Sequence, residues 1–166
     1  MSSRVEQPGG ALPDDEQWME LAVSLAWMCP PSAEAFSVGA VLIGGDGGVL
    51  ARGYSRQGED PHVHAEEAAL GEVSPGDPRL AGATLFSTLE PCARRKSRPR
   101  SCAELILATR DAGRAGIARV VFAWREPELF VARGQGAGRL AAAGVTVSEL
   151  PGFAAQAQGP NQHLVA

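Results

Sequence analysis

Apolar and polar positions alternate at two different spacings along this chain. Between Trp18 and Met28 apolar side chains recur every three or four residues, which predicts a helix, and Asp14 stands where its N-cap would lie. Short apolar runs such as Thr84–Thr88 and Arg119–Trp124 are typical of buried strands. The whole pattern predicts the order α-β-β-α-β-α-β-α-β, at about 15–29, 36–43, 49–53, 64–73, 84–88, 101–112, 119–124, 130–143 and 145–147.

This order of elements predicts the fold class. Helices that alternate with apolar strands indicate a layered α/β domain whose later strands are parallel. We expect that domain to cover residues 14–153, with a flexible N-terminus over 1–13 and a C-terminal tail over 154–166. The first 13 residues are polar and contain two prolines and a Gly-Gly pair, so they lack the apolar segment of a signal peptide.

Composition excludes several classes of protein. The chain has 166 residues, of which 45% are hydrophobic, enough for one domain with a core. Its net charge of -4 argues against a general nucleic-acid binder, and the lack of an apolar run of roughly 18 residues argues against a membrane span. We therefore expect a cytoplasmic protein, in which Cys29, Cys92 and Cys102 are thiols or metal ligands.

Three of the predicted elements carry residues suited to metal chemistry. His64 opens one helix, Cys92 follows a buried strand in the run Glu-Pro-Cys, and Cys102 opens the next helix. An imidazole and two thiolates are good zinc ligands, and three protein ligands leave a fourth position for a water molecule, whose pKa zinc lowers to about 7. Glu66 lies two residues after His64, off the ligand face of the helix, and is therefore suited to proton transfer.

His-x-Glu followed by Pro-Cys and a second Cys resembles the zinc-dependent cytidine and deoxycytidylate deaminase superfamily. That superfamily usually has two residues between its cysteines, whereas nine separate Cys92 from Cys102. A longer loop at this point is similar to the riboflavin-pathway pyrimidine deaminases, and the segments Arg125–Val131 and Pro151–Phe153 look most like their fungal branch. Other segments fall in family order: Gly53–Arg56, His64–Glu67, Leu89–Cys92 and Ala143–Val145.

The resemblance implies a fold and an activity. It implies a cytidine-deaminase-like three-layer α/β/α domain with a central mixed five-stranded sheet. It also implies hydrolytic removal of an exocyclic amine from an aminopyrimidine nucleotide, with Zn2+ held by His64, Cys92 and Cys102, and Glu66 as the catalytic proton carrier. Relatives self-associate, so the resemblance further implies a homodimer or homotetramer that acts on a small molecule.

The nine residues between the cysteines include five basic ones, which predicts a phosphate site beside the metal. Arg94, Lys96 and Arg98 are the expected ligands of a substrate phosphate, since arginine binds phosphate in bidentate fashion. The loop could instead be merely solvated, or contact a nucleic-acid backbone, although aromatic residues for base stacking make up only 5% of the chain. Glu126 and Glu128 are candidates for ribose or ring contacts, because the matching family segment reaches the pocket.

Other interpretations of the same residues stay open. The substrate could be cytidine, a cytidylate, a purine base or a precursor of a specialised metabolite. The chain could also be a catalytically silent zinc-binding scaffold, although Glu66 would then be idle. Glu90 could orient the base of the substrate, cap the helix that begins near Ser101, or be solvated.

Overall fold

The computed structural model describes residues 11–125 and 135–165, and its centre is a five-stranded sheet. The strands are β1 (Gly39–Ile43), β2 (Val49–Tyr54), β3 (Thr84–Leu89), β4 (Arg119–Trp124) and β5 (Thr146–Glu149). The helices are α1 (Asp15–Ala26), α2 (Ala65–Gly71), α3 (Cys102–Ala108), α4 (Gln135–Ala142), α5 (Ala154–Gln158) and α6 (Gln162–Val165). The predicted order is confirmed through β5 in the described residues, and the sequence pattern missed α5 and α6. Residues 130–134, at the start of the predicted helix 130–143, lie outside the described residues.

The sheet is mixed, as predicted. Its strand order is β2-β1-β3-β4-β5. β1 is antiparallel to both β2 and β3, whereas β3, β4 and β5 are parallel to one another. The apolar runs form the strands at the centre of the sheet, where their side chains are buried. The large buried side chains of these strands include Val41, Leu42, Leu85, Phe86, Val120 and Val121.

Two glycines in the β1–β2 hairpin show that helices cover both faces of the sheet. A Cβ atom at Gly39 would lie 1.8 Å from the Ala22 carbonyl oxygen in α1, and one at Gly53 would lie 2.4 Å from the Ala65 carbonyl oxygen in α2. The two glycines belong to consecutive rungs of the hairpin ladder, so they face opposite sides. Helix α1 thus lies on one face and α2 on the other, which confirms the three-layer α/β/α fold.

The start of α1 differs from the prediction. Asp14 makes no capping hydrogen bond through its side chain, because its backbone already has helical φ and ψ angles of -92° and -1°. The neighbouring Asp15 is buried instead and forms a bidentate ion pair with Arg119 at 2.6 and 2.7 Å. This pair fixes the first turn of α1 to β4.

Some boundaries also differ by a few residues. Helix α1 ends at Ala26 rather than near Cys29, and α3 ends at Ala108 rather than near 112. A tight turn with Ala112 at a φ of 57° follows α3, and this left-handed backbone is incompatible with a continued helix. No helix in the described part of the chain is long and apolar enough to cross a membrane.

Candidate metal centre and active site

The three predicted metal ligands meet at the end of β3. His64 is the N-cap of α2, Cys92 follows β3 by three residues, and Cys102 is the first residue of α3. The Nδ1 atom of His64 lies 3.3 Å from the Cys102 sulfur and 3.7 Å from the Cys92 sulfur. All three ligand atoms lie within 4.8 Å of one another, so they can hold one metal ion together.

The first turn of α3 supports Cys92. Ser101 caps this helix, with its hydroxyl oxygen accepting from the Glu104 N–H at 3.1 Å. The Cys102 N–H donates to the Cys92 sulfur at 3.3 Å, and the Ala103 N–H donates to the Cys92 carbonyl oxygen at 3.0 Å. N–H groups at a helix start stabilise a thiolate, and Cys92 is therefore placed where ionisation is favourable.

The donor set fits zinc. A hydrogen bond between the Cys92 and Cys102 thiol side chains lowers the pKa of the Cys92 thiol to about 4, with His64 adding to the effect. The same hydrogen bond, together with burial, raises the pKa of Cys102. One sulfur thus ionises readily, whereas the second thiolate requires a compensating cation close by. An imidazole and two thiolates at these separations match the ligands that Zn2+ prefers.

Glu66 lies beside the ligands in the first turn of α2, and it is only 4% exposed. The Ser87 hydroxyl lies 2.7 Å from Glu66 Oε1 and 2.8 Å from the Leu89 carbonyl oxygen. Ser87 is fully buried in β3, so the carboxylate is held by the core of the sheet. Ser87 was not among the predicted site residues, although a serine inside the apolar run of β3 is a signal that a buried polar partner lies nearby.

A cavity of about 280 Å³ opens beside Glu66 and the predicted metal ligands. Two of the ligands, His64 and Cys92, line it together with Glu66, whereas Cys102 is fully buried behind them. The other lining residues come from the segment before β1, the end of β2, the turn before α2, the end of β3 and the loop between the cysteines: Glu34, Ala35, Phe36, Val38, Ser55, Arg56, Pro61, His62, Val63, Ala65, Leu89, Glu90 and Ser97. The volume suits a small ligand rather than a folded partner.

Glu90 lines the cavity and is 2% exposed, so it is not solvated. Its Oε2 atom accepts from the Ala137 N–H at 2.9 Å, in the first turn of α4. The alternative that Glu90 caps the helix near Ser101 is wrong, because Ser101 itself fills that position. Gly136 of α4 packs on the Pro91 carbonyl oxygen, where a Cβ atom would come within 1.7 Å. Helix α4 thus abuts the turn that presents Cys92.

The three predicted phosphate ligands are not among the residues that line the cavity. Arg94 and Lys96 are exposed. Arg98 forms ion pairs with Asp60 and, at 3.4 Å, with Glu67. Asp60 lies between β2 and α2 and Glu67 lies in the first turn of α2, so Arg98 joins the loop between the cysteines to the start of that helix. Their role toward phosphate stays a prediction.

Arg95 is the basic residue of this loop that the structure buries most deeply. Its side chain is only 3% exposed and pairs with Glu67 at 3.2 Å, while its Nη2 donates to the His62 carbonyl oxygen. Arg95 therefore ties the loop to the start of α2, a role that its place in a run of charges does not reveal. Glu126 and Glu128 lie outside the described residues, and their contacts also stay predictions.

Comparison with known proteins identifies the class. Residues 12–123 match the family model described as the cytidine and deoxycytidylate deaminase zinc-binding region. The match covers well over half of the chain and includes all three ligands and Glu66. The chain therefore belongs to this family of zinc-binding deaminases, and the predicted resemblance and its Zn2+ cofactor are confirmed.

Within that family the chain is similar to riboflavin-pathway enzymes. It is 36% identical over 136 residues to the diaminohydroxyphosphoribosylamino-pyrimidine deaminase of Schizosaccharomyces pombe, covering 81% of this chain and 31% of that protein. The structure of RibD from Acinetobacter baumannii superposes with a TM-score of 0.73 at 30% identity, covering 92% of this chain and 39% of RibD. Rib2 deaminase from Aspergillus oryzae, solved with DARIPP as a C-terminal deletion mutant, gives a TM-score of 0.73 at 25% identity, covering 92% and 96%.

The chain spans about a third of the length of the curated relatives it matches. The shared part is the region around the metal ligands and the sheet that carries them. The activities in the names of those longer proteins therefore support a proposal for this chain.

Proposed function

We propose that this chain is a zinc-dependent hydrolytic deaminase that removes an exocyclic amine from an aminopyrimidine nucleotide of the riboflavin pathway. The observation that carries the proposal is a buried carboxylate beside three convergent metal ligands at a small cavity. Similarity to the S. pombe deaminase and to Rib2 solved with DARIPP favours this substrate class.

His64, Cys92 and Cys102 would hold the metal. When bound, zinc would lower the pKa of a water molecule to about 7 and so supply the nucleophile for hydrolysis. The residues of the chain would then have to move protons and orient the substrate. A cavity lined by both apolar and polar side chains can do this, because apolar contacts exclude water while polar groups fix one orientation of the ring.

Glu66 would be the proton carrier. Its Oε1 atom is engaged by Ser87 at 2.7 Å, which leaves Oε2 to exchange protons. Hydrolytic deamination needs a group that takes a proton from the nucleophile, protonates the ring nitrogen and then protonates the departing amine. A carboxylate fixed by a buried hydroxyl can deliver these protons without a large movement.

Arg94, Lys96 and Arg98 would bind the substrate phosphate at the edge of the cavity. Arg98 is the strongest of the three candidates, because its ion-pair partner Asp60 adjoins residues that line the cavity. A phosphate could replace Asp60 as the partner of Arg98 at little electrostatic cost. Glu126 and Glu128 remain candidates for contacts to the ribose or ring.

The proposed partner is thus a small molecule rather than a nucleic acid. The acidic balance of the chain and its few aromatic residues support this part of the proposal. By resemblance we also propose a cytoplasmic homodimer or homotetramer.

Ammonia release by the zinc-loaded protein tests the function. The substrates are the ribosylamino and ribitylamino pyrimidine phosphates of the riboflavin pathway, with cytidine, deoxycytidylate and guanine for comparison. The matched control is Glu66→Gln, which keeps the size of the side chain and removes its ability to carry protons. We expect turnover of a riboflavin intermediate, a loss of about 10²- to 10⁴-fold in the variant, and equal zinc content in both proteins.

The other outcomes each contradict a different part of the proposal. Turnover confined to cytidine, deoxycytidylate or guanine would retain the deaminase chemistry and reject the substrate class. Full activity of the Glu66→Gln variant would reject Glu66 as the proton carrier. Silence of the zinc-loaded protein across all five substrates would favour the zinc-binding scaffold.

A further inference from the structure

One side of the cavity is a segment without regular secondary structure. Residues 30–38 connect α1 to β1, and Glu34, Ala35 and Phe36 line the cavity. No helix or sheet ladder fixes residues 30–37, so their position depends on hydrogen bonds from side chains elsewhere in the fold, together with the Phe36 ring, which packs edge-on against Trp124 with ring centroids 5.1 Å apart. We call residues 30–38 the wall segment.

Arg56, two residues after β2, holds the wall segment through its guanidinium. Its guanidinium donates to the Pro30 carbonyl oxygen at 2.7 and 3.1 Å and to the Phe36 carbonyl oxygen at 3.0 Å. It also donates to the Ser37 hydroxyl at 2.8 Å. Arg56 is 8% exposed and lines the cavity itself, so these bonds lie next to the space that a substrate would occupy.

Asn161, in the C-terminal segment, also holds the wall segment. Its Oδ1 atom accepts from the Ser37 N–H at 2.6 Å, and its Nδ2 donates to the Ser37 carbonyl oxygen at 3.0 Å. Nδ2 also lies 3.2 Å from the Ala157 carbonyl oxygen. One amide side chain, 1% exposed, thus satisfies both backbone groups of Ser37, as a neighbouring strand would.

The C-terminal segment is itself anchored to the domain. Ala157 of α5 is 1% exposed and belongs to the hydrophobic core. Gly159 packs on the Trp27 ring, where a Cβ atom would come within 2.9 Å of the ring carbon Cζ2. His163 Nε2 lies 2.6 Å from the Ser32 carbonyl oxygen and adds a second contact to the wall segment. Asn161 therefore belongs to a segment that is packed against the rest of the domain.

We propose that Asn161 is a positioning residue for substrate binding, and that α5 and the turn after it are a structural part of the active site. Asn161 acts through Ser37 and Phe36 and touches none of the metal ligands. This inference rests on the proposed function, because it concerns how that cavity holds its substrate. It assigns to residues 154–165 a role that their sequence, predicted as a tail, does not suggest.

The test compares Asn161→Ala with Gln162→Ala, an exposed neighbour with no hydrogen bond to the wall segment. Loss of Asn161 leaves the backbone groups of Ser37 without partners, so the wall segment should move away from its substrate-binding position. We expect KM for the preferred pyrimidine substrate to rise about tenfold in Asn161→Ala, with kcat changed less than threefold, since binding rather than proton transfer is affected. Zinc content should equal that of the wild type, and Gln162→Ala should match the wild type throughout.

A second readout separates this inference from the proposed function. Amide hydrogen exchange in the full zinc-loaded chain should be at least about tenfold faster at Ser37 in Asn161→Ala than in the wild type. If the wild type deaminates none of the substrates, the proposed function fails. Unchanged exchange at Ser37 in Asn161→Ala would separately overturn the link between Asn161 and the wall segment. Faster exchange with unchanged KM would also overturn the proposal, since Asn161 would then be merely structural.

A third variant covers the case in which Asn161→Ala does not fold. His163→Ala removes the exposed contact to Ser32 and leaves the buried amide in place. We expect it to raise KM about twofold to threefold, with unchanged zinc content. The proposal would be overturned if Asn161→Ala fails to fold and the folded His163→Ala protein has an unchanged KM. The C-terminal segment would then contribute to stability alone.

Discussion

The floor and the rim of the cavity are held by different kinds of contact. The floor consists of His64, Glu66, Cys92 and Cys102, which stand at the first turns of two helices and just beyond a central strand. The rim consists of the loop between the cysteines and the wall segment, which lack regular structure and depend on ion pairs and side-chain hydrogen bonds. The floor is therefore as rigid as the core, whereas the rim can vary without disturbing it.

Glu66 on the floor and the ion pair of Arg98 on the rim differ in their exposure to solvent. Glu66 and Cys102 are buried, and a buried serine or a helix N–H group contacts the floor. The ion pair between Arg98 and Asp60 is partly exposed, so solvent and salt weaken it. A change on the floor should therefore affect metal binding or kcat, and a change on the rim should affect KM.

Cys102→Ser should have the largest effect. It replaces a fully buried thiol ligand by a hydroxyl that binds zinc poorly. We expect zinc affinity to fall by more than about 100-fold and activity to be lost with it. Substitution of a residue that only hydrogen-bonds to a metal ligand already lowers metal affinity or activity by about 10- to 100-fold. Metal titration with a chromophoric chelator measures this. The control is Cys29→Ser, a half-buried thiol that donates to the Val38 carbonyl oxygen and is not a predicted ligand. Zinc retained in Cys102→Ser would remove this residue from the ligand set.

Ser87→Ala should have the next largest effect. Without the hydroxyl, Oε1 of Glu66 loses its donor and the carboxylate is less well oriented. We expect kcat to fall by about 10- to 100-fold, with zinc content and KM near those of the wild type. Steady-state kinetics with metal analysis checks this. Ser148→Ala, at a buried serine of β5, is the matched control, and an equal loss in both variants would show that the effect is general destabilisation.

Arg98→Gln should have the smallest effect of the three. It removes a charge from the rim, and we expect KM for a phosphorylated substrate to rise about tenfold with little change in kcat. The difference from the wild type should shrink as ionic strength increases, because salt screens exposed charges. Arg79→Gln, which breaks an ion pair with Asp77 in the turn before β3, serves as the control. An unchanged KM would exclude Arg98 from phosphate binding.

The sequence predicted the floor better than the rim, for a physical reason. His64, Cys92 and Cys102 stand at element boundaries, and both the boundaries and the ligand chemistry can be recognised from local pattern. The parallel arrangement of β3, β4 and β5 also follows from helices that alternate with apolar strands. Asn161 could not be predicted in this way, since its partner Ser37 lies 124 residues away and neither residue belongs to a motif.

The basic loop shows a second limit of sequence reasoning. Five neighbouring charges look alike in the sequence, yet Arg95 is buried against Glu67 while Arg94 and Lys96 face solvent. Which charge turns inward depends on the acidic partners that the rest of the fold presents. Similarly, the sequence pattern singles out only Asp14 at the start of α1, yet the ion pair with Arg119 is made by its neighbour Asp15.

Two of the ligands, Cys92 and Cys102, are the two ends of one loop. A metal joining their sulfurs would act as a crosslink that closes a small ring, and the entropy of ring closure grows only slowly with the number of residues enclosed, by about 0.6 kcal/mol for each doubling. Nine residues in place of two should therefore cost the metal site little. Insertions and deletions between the cysteines are then a route by which substrate preference can diversify while the hydrolytic centre persists.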